Sequence, residues 1–155
     1  MKNELTFLVV IDDSDEMHDA LRYAAIRAER VNGRVAFVAT IETLDFTHWK
    51  AVEDIAEEEF REEAEKKMLE FQKIVSSISK KEPRKYIMKG DRATCILELI
   101  NSKEFISNLI LASSSSSRGP GPLITEFTGK YRSKLKVPLT IIPANLSEEE
   151  IDNLF

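Results

Sequence analysis

Five short runs of aliphatic and β-branched residues, alternating with stretches of helical periodicity, constrain this chain more than any other feature. LTFLVVI at residues 5–11 is apolar from Phe7 onward, the composition of a strand buried on both faces. RVAFVATI at 34–41, RKYIM at 84–88, FISNLILA at 105–112 and PLTIIP at 138–143 repeat the pattern with varying strength. Between them, Ala20, Leu21, Ala24, Ala28 and Val31 recur at helical spacing. Val52, Ile55, Ala56, Phe60, Ala64, Met68, Phe71, Ile74 and Val75 make one long helical stripe. Ala93, Ile96, Leu97 and Ile100 mark a third helix, and Leu123, Ile124, Phe127, Tyr131 and Leu135 a fourth. The alternation predicts an α/β fold: a five-stranded parallel sheet, Rossmann-like and doubly wound, with helices on both faces. Ligands of such sheets bind beyond the carboxyl ends of the strands, where strand order reverses. The acidic turn after the first strand and the serine-rich connection after the fourth both belong to that edge.

Local chemistry sets the expected boundaries. Ser14 is placed to cap the first helix, with acids complementing its first turn, and Asn32-Gly33 stops it. Gly90-Asp91 supplies a turn and a cap. Pro122 suits a first helical position behind Gly121, while Gly129 weakens the helix that follows. Ser147 and Glu150 form a capping box for a tail helix carrying Ile151, Leu154 and Phe155. The expected organisation is one domain over residues 1–144, with a tail helix over 145–155 packing on it or on a dimer partner.

The 155 residues suffice for one domain with a substantial core. No apolar run is long enough to span a bilayer, and the first residues lack the order of a signal peptide. A net charge of −5 disfavours non-specific nucleic-acid binding. The single cysteine, Cys95, excludes a disulfide framework. A cytoplasmic protein without nucleic-acid or membrane partners is expected.

Side-chain catalysis finds no anchor. His18 and His48 have no motif around them, there is no G-x-S-x-G elbow, and Cys95 lies in an apolar helix as an inert thiol. Gly129-Lys130 lacks the upstream glycine of a phosphate loop. No catalytic residue and no metal ligand is assigned. Asp12, Asp13, Asp15 and Glu16 suit helix capping, with Mg²⁺ binding as the other reading. The acidic pair also fits a response-regulator receiver, but the required aspartate after the third strand and lysine before proline in the fifth are missing. The stretch LASSSSSRGPGPLITEFTGKY, residues 111–131, has features of an anion site: turn amides, hydroxyls and Arg118. Pro120 and Pro122 remove two donors. Phosphate cradle and mobile loop both remain open.

FLVVIDDSDEMHDALRYAAIRAERVNGRVAFVATIE, KGDRATCILELI and NLILASSS…VPLTII together resemble the universal stress protein family over nearly the whole chain. GPGPL, with the tail PANLSEEEIDNL, resembles a bacterial single-domain branch. The resemblance implies strand order 3-2-1-4-5 and a homodimer joined through the edge strand, at Pro138, Leu139, Thr140, Ile141 and Ile142. For members that bind ATP it implies an adenine side, kept here at Asp12 and Thr40, with Val10, Ile11 and Gly90 as further candidate nucleotide contacts. The phosphate side falls on Ala112, Ser113, Ser115, Arg118, Gly119, Gly121, Thr125 and Glu126. The family's glycine motif lands on Ala112, Ser115, Thr125 and Glu126, so all three glycines are absent. Cβ atoms at these positions obstruct close approach of phosphate, and Glu126 puts a carboxylate where the family has a hydroxyl. The resemblance implies a non-enzymatic, homodimeric stress-response regulator that binds a protein partner or small anion, with tight ATP binding lost. The alternative is an ATP-binding switch, with Mg·ATP as cofactor and slow hydrolysis its one enzymatic activity.

Overall fold

The computed structural model describes residues 4–41 and 50–155. Five strands, β1 (Thr6–Val10), β2 (Arg34–Ile41), β3 (Arg84–Lys89), β4 (Asn108–Ala112) and β5 (Leu139–Ile142), alternate with α1 (Met17–Arg30), α2 (Lys50–Ser76), α3 (Arg92–Ile100), α4 (Pro122–Thr128) and α5 (Glu148–Asp152). The sheet has the order β3-β2-β1-β4-β5, and every pairing is parallel. The fold class and the strand order are therefore those expected from the sequence.

Strand alternation divides the core in two. Phe7, Val9, Val35 and Phe37 point to one face, where α1 and the carboxyl half of α2 cover them with Leu21, Ala24, Met68, Phe71 and Val75. Leu8, Val10, Ala36 and Val38 point to the other face, beneath Ile96 and Leu99 of α3 and Ile124 and Phe127 of α4. The central strand β1 is buried along its whole length, which is why its sequence is continuously apolar.

Several boundaries differ from the sequence reading. Ser14 does not cap α1; Glu16 occupies the cap position without a side-chain bond. Asp12 instead accepts both the Ser14 amide (2.8 Å) and the Ser14 hydroxyl (2.5 Å), a local turn that competes with capping. At the other end of α1, Asn32 takes the left-handed conformation, φ 54°. Gly33 follows because a Cβ there would lie 2.5 Å from the Leu5 carbonyl oxygen. The long apolar stripe is only partly used. Met68, Phe71 and Val75 are buried, while Val52, Ile55 and Phe60 are exposed. With 27 residues α2 runs roughly 40 Å, and the eight residues of β2 only about 27 Å, so the helix outruns the sheet it covers. α4 ends at Thr128 with Gly129 as its cap, so Tyr131 and Leu135 reach the core from turns and not from a continuing helix.

The tail closes back on its own chain. Ser147 and Glu150 make both bonds of the capping box. Ile151 is fully buried, Arg22 of α1 holds Asp152 through two 2.8 Å bonds, and Phe155 packs on Tyr23 at 5.0 Å. Among the described residues, no helix is long and apolar enough to cross a membrane.

Candidate functional site

The carboxyl ends of β1, β2, β3 and β4 open into adjoining cavities. One of about 290 Å³ lies between the turn after β1 and the start of α4, lined by Val10, Asp12, Asp13, Ala112, Gly121 and Pro122 among others. A second, about 210 Å³, holds Ile11, Asp12, Thr40 and Lys67. A third, about 460 Å³, runs from Thr40 and Gly90 to Glu126. The fourth, about 480 Å³, lies over the serine loop between Glu16, Arg118, Thr125 and Glu126. Shared residues make these one continuous crevice at the edge where doubly wound sheets hold ligands.

The adenine-side residues come together there. Val10 and Ile11 end the central strand, and the Ile11 amide donates to the Val38 carbonyl at 2.8 Å. Asp12 follows at once, half-buried and fixed by its turn through Ser14. Thr40 lies opposite Met88 near the end of β2. Gly90 turns with φ 134° and its amide donates to the Ile41 carbonyl at 2.9 Å. Asp91 then caps α3, accepting from the Thr94 amide at 3.1 Å and the Thr94 hydroxyl at 3.0 Å. Those bonds hold its carboxyl below the usual range.

The residues that the resemblance assigns to a phosphate side are brought to the same edge, where several amides are bonded within the loop. The Ser113 amide extends the sheet by donating to the Ile142 carbonyl (2.9 Å), and the Ser114 amide donates to the Pro120 carbonyl (2.9 Å). Ser116 and Arg118 amides donate to the hydroxyls of Ser114 and Ser116 at 3.1 and 3.2 Å. The Gly119 amide donates to the Ser116 carbonyl at 3.2 Å. The serine run is thus a turn bonded in part from within, through the amides of Ser113, Ser114, Ser116, Arg118 and Gly119. Gly119 and Gly121 sit at φ 120° and 119° and let the chain double back into α4. Thr125 and Glu126 lie inside α4, and the Thr125 amide donates to the Gly121 carbonyl at 3.1 Å. Ser115 is exposed and Ala112 half-buried. Each carries a Cβ that the glycine motif would lack.

Three charged features escaped the sequence reading. Lys67 of α2 reaches across to bond the Asp13 carboxylate, with Glu63 at 3.7 Å behind it. The Asp13 contact holds the lysine above its usual range. Glu16 and Arg118 both line the serine-loop cavity. Arg92, the first residue of α3, borders three of the four cavities. Its signal in the sequence was positional: a cation opening the helix after a parallel strand stands at the ligand edge.

Other candidates lie elsewhere. His18 is exposed and meets Phe71 edge-on at 5.2 Å, and His48 falls outside the described residues. Cys95 is buried beneath α3, and burial pushes its thiol up. Among the described residues, no three His, Cys, Asp or Glu side chains converge to hold a metal ion. Asp12 and Asp13 are instead engaged by Ser14 and Lys67. Four carboxyl-terminal expectations, Pro138, Leu139, Thr140 and Ile141, lie exposed or half-exposed along the β5 edge, while Ile142 turns into the core of its own chain.

A parallel five-stranded sheet in this order, with its crevice beyond the carboxyl ends of the strands, defines a doubly wound α/β fold. The chain belongs to the universal stress protein family, whose model matches residues 5–143. Solved structures agree on the fold. The universal stress protein UspA from Lactobacillus plantarum has a TM-score of 0.75 at 15% identity, covering 92% of this chain and 99% of that one. A universal stress family protein from Burkholderia pseudomallei has a TM-score of 0.68 at 18% identity, covering 90% and 96%. A universal stress protein in complex with cAMP has a TM-score of 0.59 at 12% identity, covering 93% and 100%. No curated protein matches the sequence.

Proposed function

We propose that this chain is a non-enzymatic regulator of the stress response, working in the cytoplasm as a homodimer joined through β5. Its carboxyl-edge crevice takes an adenine nucleotide but does not hold a triphosphate tightly. The observation that carries this reading is the state of the phosphate side. Where the family motif has glycines, the chain has Ala112, Ser115 and Thr125, each with a Cβ where phosphate would approach backbone, and the neighbouring amides of Ser113, Ser114, Ser116 and Arg118 are already bonded. Glu126 adds a carboxylate to the same wall, and two anions in a poorly solvated site repel by kilocalories. The adenine side keeps Asp12 and Thr40 beside the cavities. The cAMP complex of a structural neighbour supports a nucleotide ligand class. Regulation would act through a partner protein that distinguishes the ligand-bound crevice from the free one.

A second reading, the ATP-binding switch, draws on Arg118, which shares a cavity with Ser114 and Ser116. Calorimetric titration separates the two. Adenosine binding without micromolar Mg·ATP affinity supports the regulator with a reduced site. Micromolar Mg·ATP binding that is lost in Arg118→Ala makes the serine loop a phosphate cradle and the switch the better reading.

A further inference from the structure

We infer that Arg92 is the anion-recognition residue of the crevice, and that the crevice selects a nucleotide bearing one phosphate group over the triphosphate. The inference rests on the adenine-nucleotide reading above and deepens it. Arg92 is the one described residue common to the cavity at Asp12 and Ala112, the cavity at Thr40, and the cavity at Gly90 and Glu126. A ligand crossing from the adenine side towards α4 passes it on any of these routes. Its side chain is exposed and takes part in none of the ion pairs among the described residues. Lys67, the other cation on the adenine side, is already held by Asp13 and Glu63. An unpaired guanidinium presents a planar fork that meets two phosphate oxygens at once.

The charge balance sets how many phosphates fit. Six carboxylates line the four cavities, against three cations, Lys67, Arg92 and Arg118. One phosphate monoester carries about −1.5 to −2 charge, and a single guanidinium offsets one unit of it while bonding two of its oxygens. A triphosphate would extend from Arg92 into the wall that holds Glu16 and Glu126, with Arg118 the one cation of that cavity to meet the added charge.

The test compares adenosine, AMP and Mg·ATP by calorimetry on the full chain and on Arg92→Ala, Arg92→Lys and Arg118→Ala. AMP should bind at least tenfold more tightly than adenosine, and Mg·ATP no more tightly than AMP. Arg92→Ala should abolish the preference for AMP over adenosine, and Arg92→Lys, which keeps the charge but not the fork, should fall between. Adenosine binding with no gain for AMP overturns the role of Arg92 and leaves the nucleotide reading standing. So does a preference for AMP that survives Arg92→Ala and disappears in Arg118→Ala. Tighter binding of Mg·ATP than of AMP overturns the selectivity. Absence of binding by all three probes overturns both this inference and the nucleotide reading.

Discussion

Glu4 stands at the opposite edge of the sheet from the crevice, and its replacement by glutamine tests what holds the strands together there. One carboxylate oxygen accepts from Arg34 Nε at 2.6 Å, the other from Lys81 Nζ at 2.8 Å, and an Arg84 guanidinium nitrogen lies 3.4 Å away. Glu4, two residues before β1, is thereby tied to the first residues of β2 and β3. The Lys81 and Arg34 bonds hold the Glu4 carboxyl at about 2, against an ordinary 4.5, with partial burial acting the other way. At 1.36 kcal/mol per pKa unit the depression corresponds to roughly 3.4 kcal/mol. The side chain is a quarter exposed, so solvent screening brings the expected contribution down to about 1–2 kcal/mol. The sign follows from linkage. A carboxyl with a lowered folded pKa contributes fully above 4.5 and loses its contribution as pH falls towards 2, with less than about half left at pH 3. Urea unfolding of the parent and Glu4→Gln should differ by about 1–2 kcal/mol at pH 7, and the gap should narrow steadily below pH 4.5. A gap of constant size from pH 7 to pH 3 would refute the electrostatic account and leave packing or altered strand geometry as the cause.

Ile151 is fully buried where α5 packs on α1, so Ile151→Ala should cost about 2–4 kcal/mol in urea unfolding; a loss below about 0.5 kcal/mol would mean the tail is dispensable to the domain. Gly33→Ala places a Cβ 2.5 Å from the Leu5 carbonyl oxygen, which forces β1 and the α1–β2 turn apart. A melting temperature lower by several degrees is expected, corresponding to a cost of about 1–3 kcal/mol, and an unchanged one would show that the turn can relax. Ile141 is 40% exposed on the edge strand, where an unpaired row of backbone groups invites association. Ile141→Lys should convert a dimer to a monomer in light scattering at micromolar concentration, and an intact dimer would place the contact elsewhere.

The course of the chain was legible because strand burial and helix burial leave different periods in the sequence, and here both periods are clean. β1 reads as apolar because both its faces are covered, and α3 reads as a helix because Ala93, Ile96 and Ile100 fall on one side above the sheet. What the periods could not show was extent. Nothing in the spacing of Val52, Ile55 and Phe60 distinguishes a helix over the sheet from one that has run past its end. Capping was misplaced where two local bonds compete: Ser14 can cap a helix, but Asp12 two residues earlier captures it first. In the crevice, the acidic turn with Asp12 and the serine loop followed from topology, Thr40 followed from the family resemblance, and Arg92 stood at a legible position that the reading passed over. The bond from Lys67 to Asp13 did not follow, because it depends on which side chains meet across elements far apart in the chain.

The two edges of the sheet show why the crevice charges have more to do with a ligand than with folding. At the amino edge the charges are matched: Glu4 meets Arg34, Lys81 and Arg84, and Tyr86 and Arg84 meet Glu104. At the carboxyl edge, six carboxylates gather around three cations, two of which, Arg92 and Arg118, have no ion-pair partner among the described residues. Arg92, Arg118 and Ser115 are exposed, so the packing of the core places no demand on their identity. Selection for stability alone would favour the matched arrangement, since like charges gathered at one surface oppose the compact state. An excess of carboxylate with two free guanidinium groups is the arrangement that discriminates between anions, because it repels high charge broadly and accepts low charge at defined points. On the reading proposed above, this edge would read phosphate number through the side chains of Arg92 and Arg118.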